Sequence, residues 1–139
     1  MLVWLLPGTH RLGQRSSDLA RLGLQVQIQR CYQQAVEKGS AIPAVSSTDT
    51  VRIIEGTKHH VVDRANVMMI QTPQTFNAAI LKKAFEQAYQ PSFTDEANVL
   101  EASGKEVYLI EGEHENIKIT RPLDLAIAEY ILAKRASKD

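Results

Sequence analysis

The chain is predicted to fold as an α/β domain with a largely parallel sheet. Three observations carry that expectation. Strand-like stretches alternate with stretches of helical periodicity along most of its 139 residues. Apolar residues make up 44% of the chain, which at this length is enough to bury a core without disulfide staples. Residues 41–45 form a short apolar run of the kind that becomes a buried strand.

The opening segment, residues 1–25, reads differently from the rest. Leu2, Val3, Trp4, Leu5 and Leu6 run together, then Gly, Pro, Ser and Gln dominate without periodicity. The apolar opening ends at Pro7 with no basic lead, too short for a signal peptide or a membrane span. Residues 1–30 carry Arg11, Arg15, Arg21 and Arg30 against Asp18 and no lysine, a balance of +3. The remainder holds all eight lysines, four arginines and fifteen acids, a balance of −3. A short strand followed by a surface loop accounts for this segment. So does a leader foreign to the fold that begins at Val26.

From Val26 the elements follow in order. Ile28, Cys31, Tyr32 and Ala35 recur at helical spacing, and Gly39 stands where that helix stops. After the 41–45 strand, residues 50–54 and 58–62 flank Glu55-Gly56 as a two-stranded ribbon. Residues 67–70 are a further strand. Phe76, Ile80, Ala84 and Ala88, with Leu81 and Phe85, form one face of a long helix with Thr75 as its N-cap. A shorter helix follows Thr94 and ends before Gly104; residues 107–110 are a strand, and Ile117-Lys118-Ile119 alternates in strand fashion. Pro122 falls in the first turn of a final helix whose buried face is Leu125, Ala128, Ile131 and Leu132.

Composition narrows the chemistry. The formal net charge is +0, which argues against a nucleic-acid partner. Cys31 is the only cysteine, so there is no disulfide framework and no thiolate metal cluster. A soluble, cytoplasmic protein with no membrane partner is expected. The sequence contains no HExxH, CxxC or GxSxG. His59 and His60 are adjacent in the ribbon and face opposite ways, and His114 lies between Glu113 and Glu115. Neither a zinc site nor a hydrolase triad is supported.

Four polar positions stand out. Thr72 follows a strand in Gln71-Thr72-Pro73-Gln74, where α/β sheets place ligands, although a turn threonine before a proline needs no ligand. Thr94-Asp95-Glu96 opens a helix and suits either capping or an incoming group. Lys118 points away from Ile117 and Ile119, and either holds a phosphate as a point charge or is solvated on an edge strand. Arg64 follows Asp63, with which a surface ion pair is the plain alternative.

Five motifs in register go further. Ala41-Ile42-Pro43-Ala44-Val45 with Thr48-Asp49-Thr50, Val62-Asp63-Arg64, Gln71-Thr72-Pro73-Gln74-Thr75-Phe76, Thr94-Asp95-Glu96-Ala97 and Asn116-Ile117-Lys118-Ile119-Thr120-Arg121-Pro122-Leu123-Asp124-Leu125-Ala126 occur in that order. Together they resemble the 2-C-methyl-D-erythritol 4-phosphate cytidylyltransferases of non-mevalonate isoprenoid synthesis. The sister enzymes that make CDP-ribitol share the QTPQ-F element, while the Val-Asp-Arg and Asn-Ile-Lys-Ile-Thr wording leans to the methylerythritol enzymes.

The resemblance covers residues 26–139 and implies a Rossmann-like nucleotidyltransferase fold, here incomplete, with a protruding β-arm at about 51–62. It implies a homodimer interlocked through that arm, with Arg64 reaching the partner's site to bind the methylerythritol phosphate. Thr50, Thr72, Thr94 and Lys118 match positions lining the same pocket. The implied reaction is attack by the substrate phosphate on the α-phosphorus of CTP, with Mg²⁺ bridging the triphosphate and pyrophosphate leaving.

The departures lie at the start. The family's glycine-rich CTP loop has no counterpart in Pro7-Gly8-Thr9-His10-Arg11-Leu12-Gly13. Its His-Asp-Ala-Ala-Arg-Pro segment, whose aspartate binds metal, meets only Ser17-Asp18-Leu19-Ala20-Arg21-Leu22, so no metal ligand is assigned. A truncated or frame-shifted parent, with little activity in this chain alone, is the expectation. A noncatalytic dimerisation or phosphate-binding module and a CDP-ribitol-forming enzyme are the alternatives.

Overall fold

The computed structural model describes residues 2–3 and 25–137. Asp18, Arg21 and the 7–13 segment lie outside the described residues. Strand β1 (Leu2–Val3) comes first, and helix α1 (Gln25–Lys38) is the next described element. The helix ends at Gly39, whose amide closes on the Ala35 carbonyl at 3.0 Å and whose φ of +94° suits glycine. Strand β2 (Ser40–Ser46) follows directly and is the centre of the sheet. Its side chains alternate between faces. Ala41 packs with Cys31 and Ala35 of α1, while Ile42 joins Phe76, Leu81, Ala84, Ala97, Val99 and Leu100 on the other side. Helical layers therefore cover β2 on both faces, which is why its sequence is an unbroken apolar run.

The ribbon leaves the sheet. Among the described residues, strands β3 (Val51–Glu55) and β4 (Lys58–Val62) pair only with each other, from Val51↔Val62 to Glu55↔Lys58. A short 3-10 turn, Arg64–Asn66, is capped by Asp63, whose carboxylate accepts from the Ala65 amide at 3.0 Å. The chain then re-enters the sheet as β5 (Met68–Ile70) and β6 (Thr75–Phe76), both antiparallel to β2; the far side of β6 pairs with β1, also antiparallel. Helices α2 (Ala78–Ala84) and α3 (Glu96–Ala102) cross back over the sheet to β7 (Leu109–Glu111), which runs parallel to β2. Helix α4 (Pro122–Ala136) closes the chain.

The structure corrects three expectations. The α/β class holds, but the sheet is mixed: only β2–β7 is parallel among the described pairings. The cause is the connection after β2, a hairpin ribbon rather than a helical crossover, which returns the chain in the opposite direction. The helix expected from Thr75 to Ala88 is shorter. Thr75 and Phe76 are strand residues, and Asn77 is the N-cap, accepting from the Ala79 and Ile80 amides at 3.0 and 3.4 Å. Its far end stops where the Gln87 side chain takes the Ala84 carbonyl at 2.7 Å and the Val99 carbonyl at 2.7 Å, tying α2 to α3. Finally, residues 116–120 form no strand, although Lys118 is exposed between half-buried Ile117 and Ile119 as the alternation requires. Among the described residues no helix is long and apolar enough to cross a membrane.

Candidate functional site

The site is built on an interruption of one strand. The Gln71 amide still bonds to the Pro43 carbonyl at 2.8 Å, continuing the β5 register in which Ala44 faces Ile70. Extended further, that register would set Ala41 opposite Pro73, but Ala41 faces Thr75. Thr72 and Pro73 are thus the additional residues of a bulge, and their peptide bond is cis. Thr72 is exposed on this bulge.

The two glutamines that flank the bulge reach in different directions. Gln71 Nε2 donates to the carbonyls of Glu113 at 2.7 Å and Asn116 at 3.2 Å, and Gln71 Oε1 accepts from the Glu113 amide at 3.1 Å. This amide-to-backbone clamp holds the turn that follows β7. Gly112 permits it: a β-carbon there would lie 2.2 Å from Gln71 Oε1. Asn116 returns the contact, its Nδ2 donating to the Thr72 carbonyl at 2.8 Å. On the outer side of the turn, Arg135 of α4 pairs with Glu115 at 2.7 Å and Glu113 at 3.5 Å.

Gln74 reaches the other way, donating to Asp95 Oδ2 at 3.1 Å. Asp95 caps α3 through the Asn98 amide at 2.9 Å, and the neighbouring Thr94 hydroxyl donates to Asn98 Oδ1. The capping role expected of this segment therefore falls to Asp95, leaving Thr94 exposed beside it. Thr94 and Asp95 also edge an open cleft of ≈ 320 Å³ walled by Phe85, Tyr89 and Phe93.

Lys118 lies between two anchors. Asn116 is tied to Thr72, and Thr120 is tied to Asp124, whose Oδ2 accepts from the Thr120 amide at 2.9 Å, the Thr120 hydroxyl at 3.0 Å and the Arg121 amide at 2.7 Å. These backbone hydrogen bonds, Thr120 first and Arg121 second, hold the Asp124 carboxyl below its ordinary pKa. The Lys118 ammonium has no hydrogen-bond or ion-pair partner among the described residues. Thr72, Thr94 and Lys118 are therefore carried by segments that the bulge joins.

Arg64 and Thr50 form a separate group at the foot of the ribbon. Arg64 Nη1 donates to the Thr48 carbonyl at 3.2 Å, two residues before Thr50, and both side chains are exposed. The Asp63–Arg64 ion pair, the plain alternative for Arg64, does not form; Asp63 caps the turn instead. Neither Arg64 nor Thr50 is hydrogen bonded to Thr72, Thr94 or Lys118. His59 accepts from Arg52 Nε at 2.8 Å, and no group of three His, Cys, Asp or Glu among the described residues could hold a metal ion. Mg²⁺ in nucleotide chemistry is commonly held by one or two carboxylates together with phosphate oxygens and water, and no carboxylate among the described residues is assigned to it. Sequence reasoning assigned no role to Gln71, Gln74, Gly112 or Asn116; Gln71, Gln74 and Asn116 stood in the quoted motifs, and Gly112 had no signal.

Comparison with known proteins agrees with the motif reading. A family model described as IspD, 2-C-methyl-D-erythritol 4-phosphate cytidylyltransferase, matches residues 17–134, starting ahead of the Val26 boundary. The Bacteroides fragilis protein named 2-C-methyl-D-erythritol 4-phosphate cytidylyltransferase is 46% identical over 105 residues, 76% of this chain and 48% of the relative. The Geobacillus kaustophilus protein of that name is 42% identical over 107 residues, 75% and 47% of the two chains. The crystal structure of the Thermus thermophilus protein of that name superposes with a TM-score of 0.64 at 32% identity, covering 78% of this chain and 55% of that one. A solved 4-diphosphocytidyl-2C-methyl-D-erythritol synthase gives 0.66 at 29% identity, covering 93% and 70%. The chain spans about half the length of the curated relatives it matches, 48% of the first.

Proposed function

The chain belongs to the 2-C-methyl-D-erythritol 4-phosphate cytidylyltransferase family, and from that premise we propose that it carries the alcohol-phosphate side of a cytidylyl transfer from CTP to methylerythritol phosphate. The observation that supports this reading best is the 2.8 Å hydrogen bond from Asn116 to the Thr72 carbonyl, which ties the segment carrying Lys118 to the bulge carrying Thr72. Lys118, without a partner among the described residues, offers a point charge to the substrate phosphate; the Thr72 hydroxyl offers a hydrogen bond to its oxygens, joined by that of Thr94 once it leaves Asn98 Oδ1 and by that of Thr50 from a neighbouring copy. The phosphate then attacks the α-phosphorus of CTP and pyrophosphate leaves. Such transfers need positioning and charge neutralisation rather than a protein nucleophile. Mg²⁺ supplies neutralisation of the triphosphate in this reaction class. No metal ligand is assigned in this chain, and Asp18 lies outside the described residues.

Turnover on this reading needs the glycine-rich CTP loop, which this sequence does not contain. The purified chain is expected to bind methylerythritol phosphate and to release little or no pyrophosphate from it with CTP. Binding that is unchanged in Lys118→Ala would refute the site assignment. Brisk pyrophosphate release abolished by Lys118→Ala would refute the division of labour.

The second reading, a dimerisation module, has its own support. The ribbon is an isolated two-stranded sheet exposing Ile53, Ile54 and Val61, with Ile54 75% exposed. Such a hairpin is marginal in water unless something covers it. A second copy covering it would bring Arg64 to the partner's bulge. Sedimentation should find a dimer that Ile54→Lys dissociates; a monomer in both would count against the arm.

A further inference from the structure

We propose that Gln71 is a positioning residue, which sets where Lys118 meets the substrate phosphate; the proposal rests on the methylerythritol phosphate reading of the site. The Gln71 side chain makes no use of its own strand's ladder. All three of its hydrogen bonds go to the backbone of a turn more than forty residues away: to the Glu113 carbonyl at 2.7 Å, from the Glu113 amide at 3.1 Å and to the Asn116 carbonyl at 3.2 Å. An amide matches this demand because it presents donor and acceptor together. The glycine at 112 leaves room that any β-carbon would fill, at 2.2 Å from Gln71 Oε1.

The clamp fixes Asn116, whose side chain reaches back to the Thr72 carbonyl at 2.8 Å. Lys118 follows two residues later, in a span with no strand ladder to define its course. Two extended residues reach about 7 Å, so the backbone of Lys118 is held within that distance of the Asn116 anchor. Its other anchor is Asp124, through the Thr120 amide at 2.9 Å. Removing the Gln71 amide leaves Asn116 tied to the Thr72 carbonyl alone and leaves the Asp124 anchor intact, so the lysine stays on the site but is held less firmly at one end. A phosphate whose cation partner is displaced is held less tightly, because the attraction between the two charges falls with their separation.

The test is titration of the purified chain with methylerythritol phosphate by calorimetry, with backbone amide exchange read in parallel. Gln71→Ala should weaken binding about tenfold and speed exchange of the Glu113 amide. Lys118→Ala should weaken binding at least as much and leave Glu113 exchange unchanged. Because Gln71 acts through Lys118, the double variant should bind no more weakly than Lys118→Ala alone, which a general loss of structure would not produce. Gln71→Glu keeps the acceptor for the Glu113 amide but turns a carboxylate on two carbonyls, and carries the same binding expectation should Gln71→Ala not fold. Affinity within twofold of the unaltered chain in these Gln71 variants, or additive losses in the double, overturns the positioning role alone. An unaltered chain that binds no methylerythritol phosphate overturns the substrate reading and the role together.

Discussion

Replacing Gly112 by alanine should destabilise the fold, against the usual direction of that substitution. Gly112 has no positive φ, so alanine there would ordinarily stabilise by about 0.4–1 kcal/mol through the unfolded chain. Here the new β-carbon falls 2.2 Å from Gln71 Oε1 and 3.1 Å from its Cδ, and Gln71 must withdraw. Withdrawal breaks its bonds to Glu113 and Asn116, at about 1 kcal/mol each and roughly 3 kcal/mol together. Set against the unfolded-state gain, the net loss is about 2 kcal/mol. Urea denaturation of the two chains measures it directly. The Gln71→Ala background supplies the control: with the clamp already gone, the β-carbon still meets the Ala44 nitrogen at 3.2 Å but displaces no hydrogen-bonded side chain, and adding Gly112→Ala should cost clearly less than in the unaltered chain. A neutral or stabilising Gly112→Ala in the unaltered background would refute the clamp.

Three further outcomes are expected. Leu100→Ala removes a side chain 1% exposed from the cluster shared with Ile42 and Leu81, and should cost about 2–5 kcal/mol in the same urea assay. The Asp124 carboxyl, lowered by its hydrogen bonds from Thr120 and Arg121, binds a proton more readily in the unfolded chain. Its stabilisation is therefore present above the ordinary carboxylate range and lost as pH falls through its lowered value. Asp124→Asn should be less stable than the parent at pH 7, with the gap closing on acidification; a gap independent of pH would refute the linkage. Burial raises the Cys31 thiol, with Arg30 opposing it, so a thiol reagent at neutral pH should label Cys31 only after urea is added.

The parts of the fold legible in the sequence were those written by local rules. Gly39 ends α1, Gly104 follows α3, Pro122 opens α4, and the ribbon turns where Gly56 stands. Misreadings arose where a distant partner outweighed a local preference. Thr75 is a sound N-cap by composition, yet pairing with Ala41 draws it into a strand and passes the cap to Asn77. Strand direction was invisible for the same reason, since the direction of β5 depends on what the ribbon does between it and β2. At the site, Thr72, Thr94 and Lys118 could be singled out because hydroxyls and a lone cation carry recognisable chemistry. Gln71 and Gln74 could not, because an amide's meaning lies in what it reaches: the turn after β7 in one case and Asp95 in the other.

That pattern bears on how the site is assembled. At the bulge, side chains of one short motif hold two neighbouring segments, Gln71 toward the Lys118 span and Gln74 toward Thr94. A bulge gives up ladder hydrogen bonds to re-aim its residues; the flanking glutamines return hydrogen bonds to the same region, so the exposed Thr72 is carried on a rigid support. Arg64 and Thr50 lack such support. Arg64 rests on one backbone carbonyl at the root of an exposed ribbon, and neither residue is tied to the bulge. On the proposed reading, this asymmetry is what a shared site requires: each chain keeps a rigid phosphate cradle of its own and offers a guanidinium to a neighbour, to be fixed only when the ribbon is covered and the bidentate phosphate contact is made.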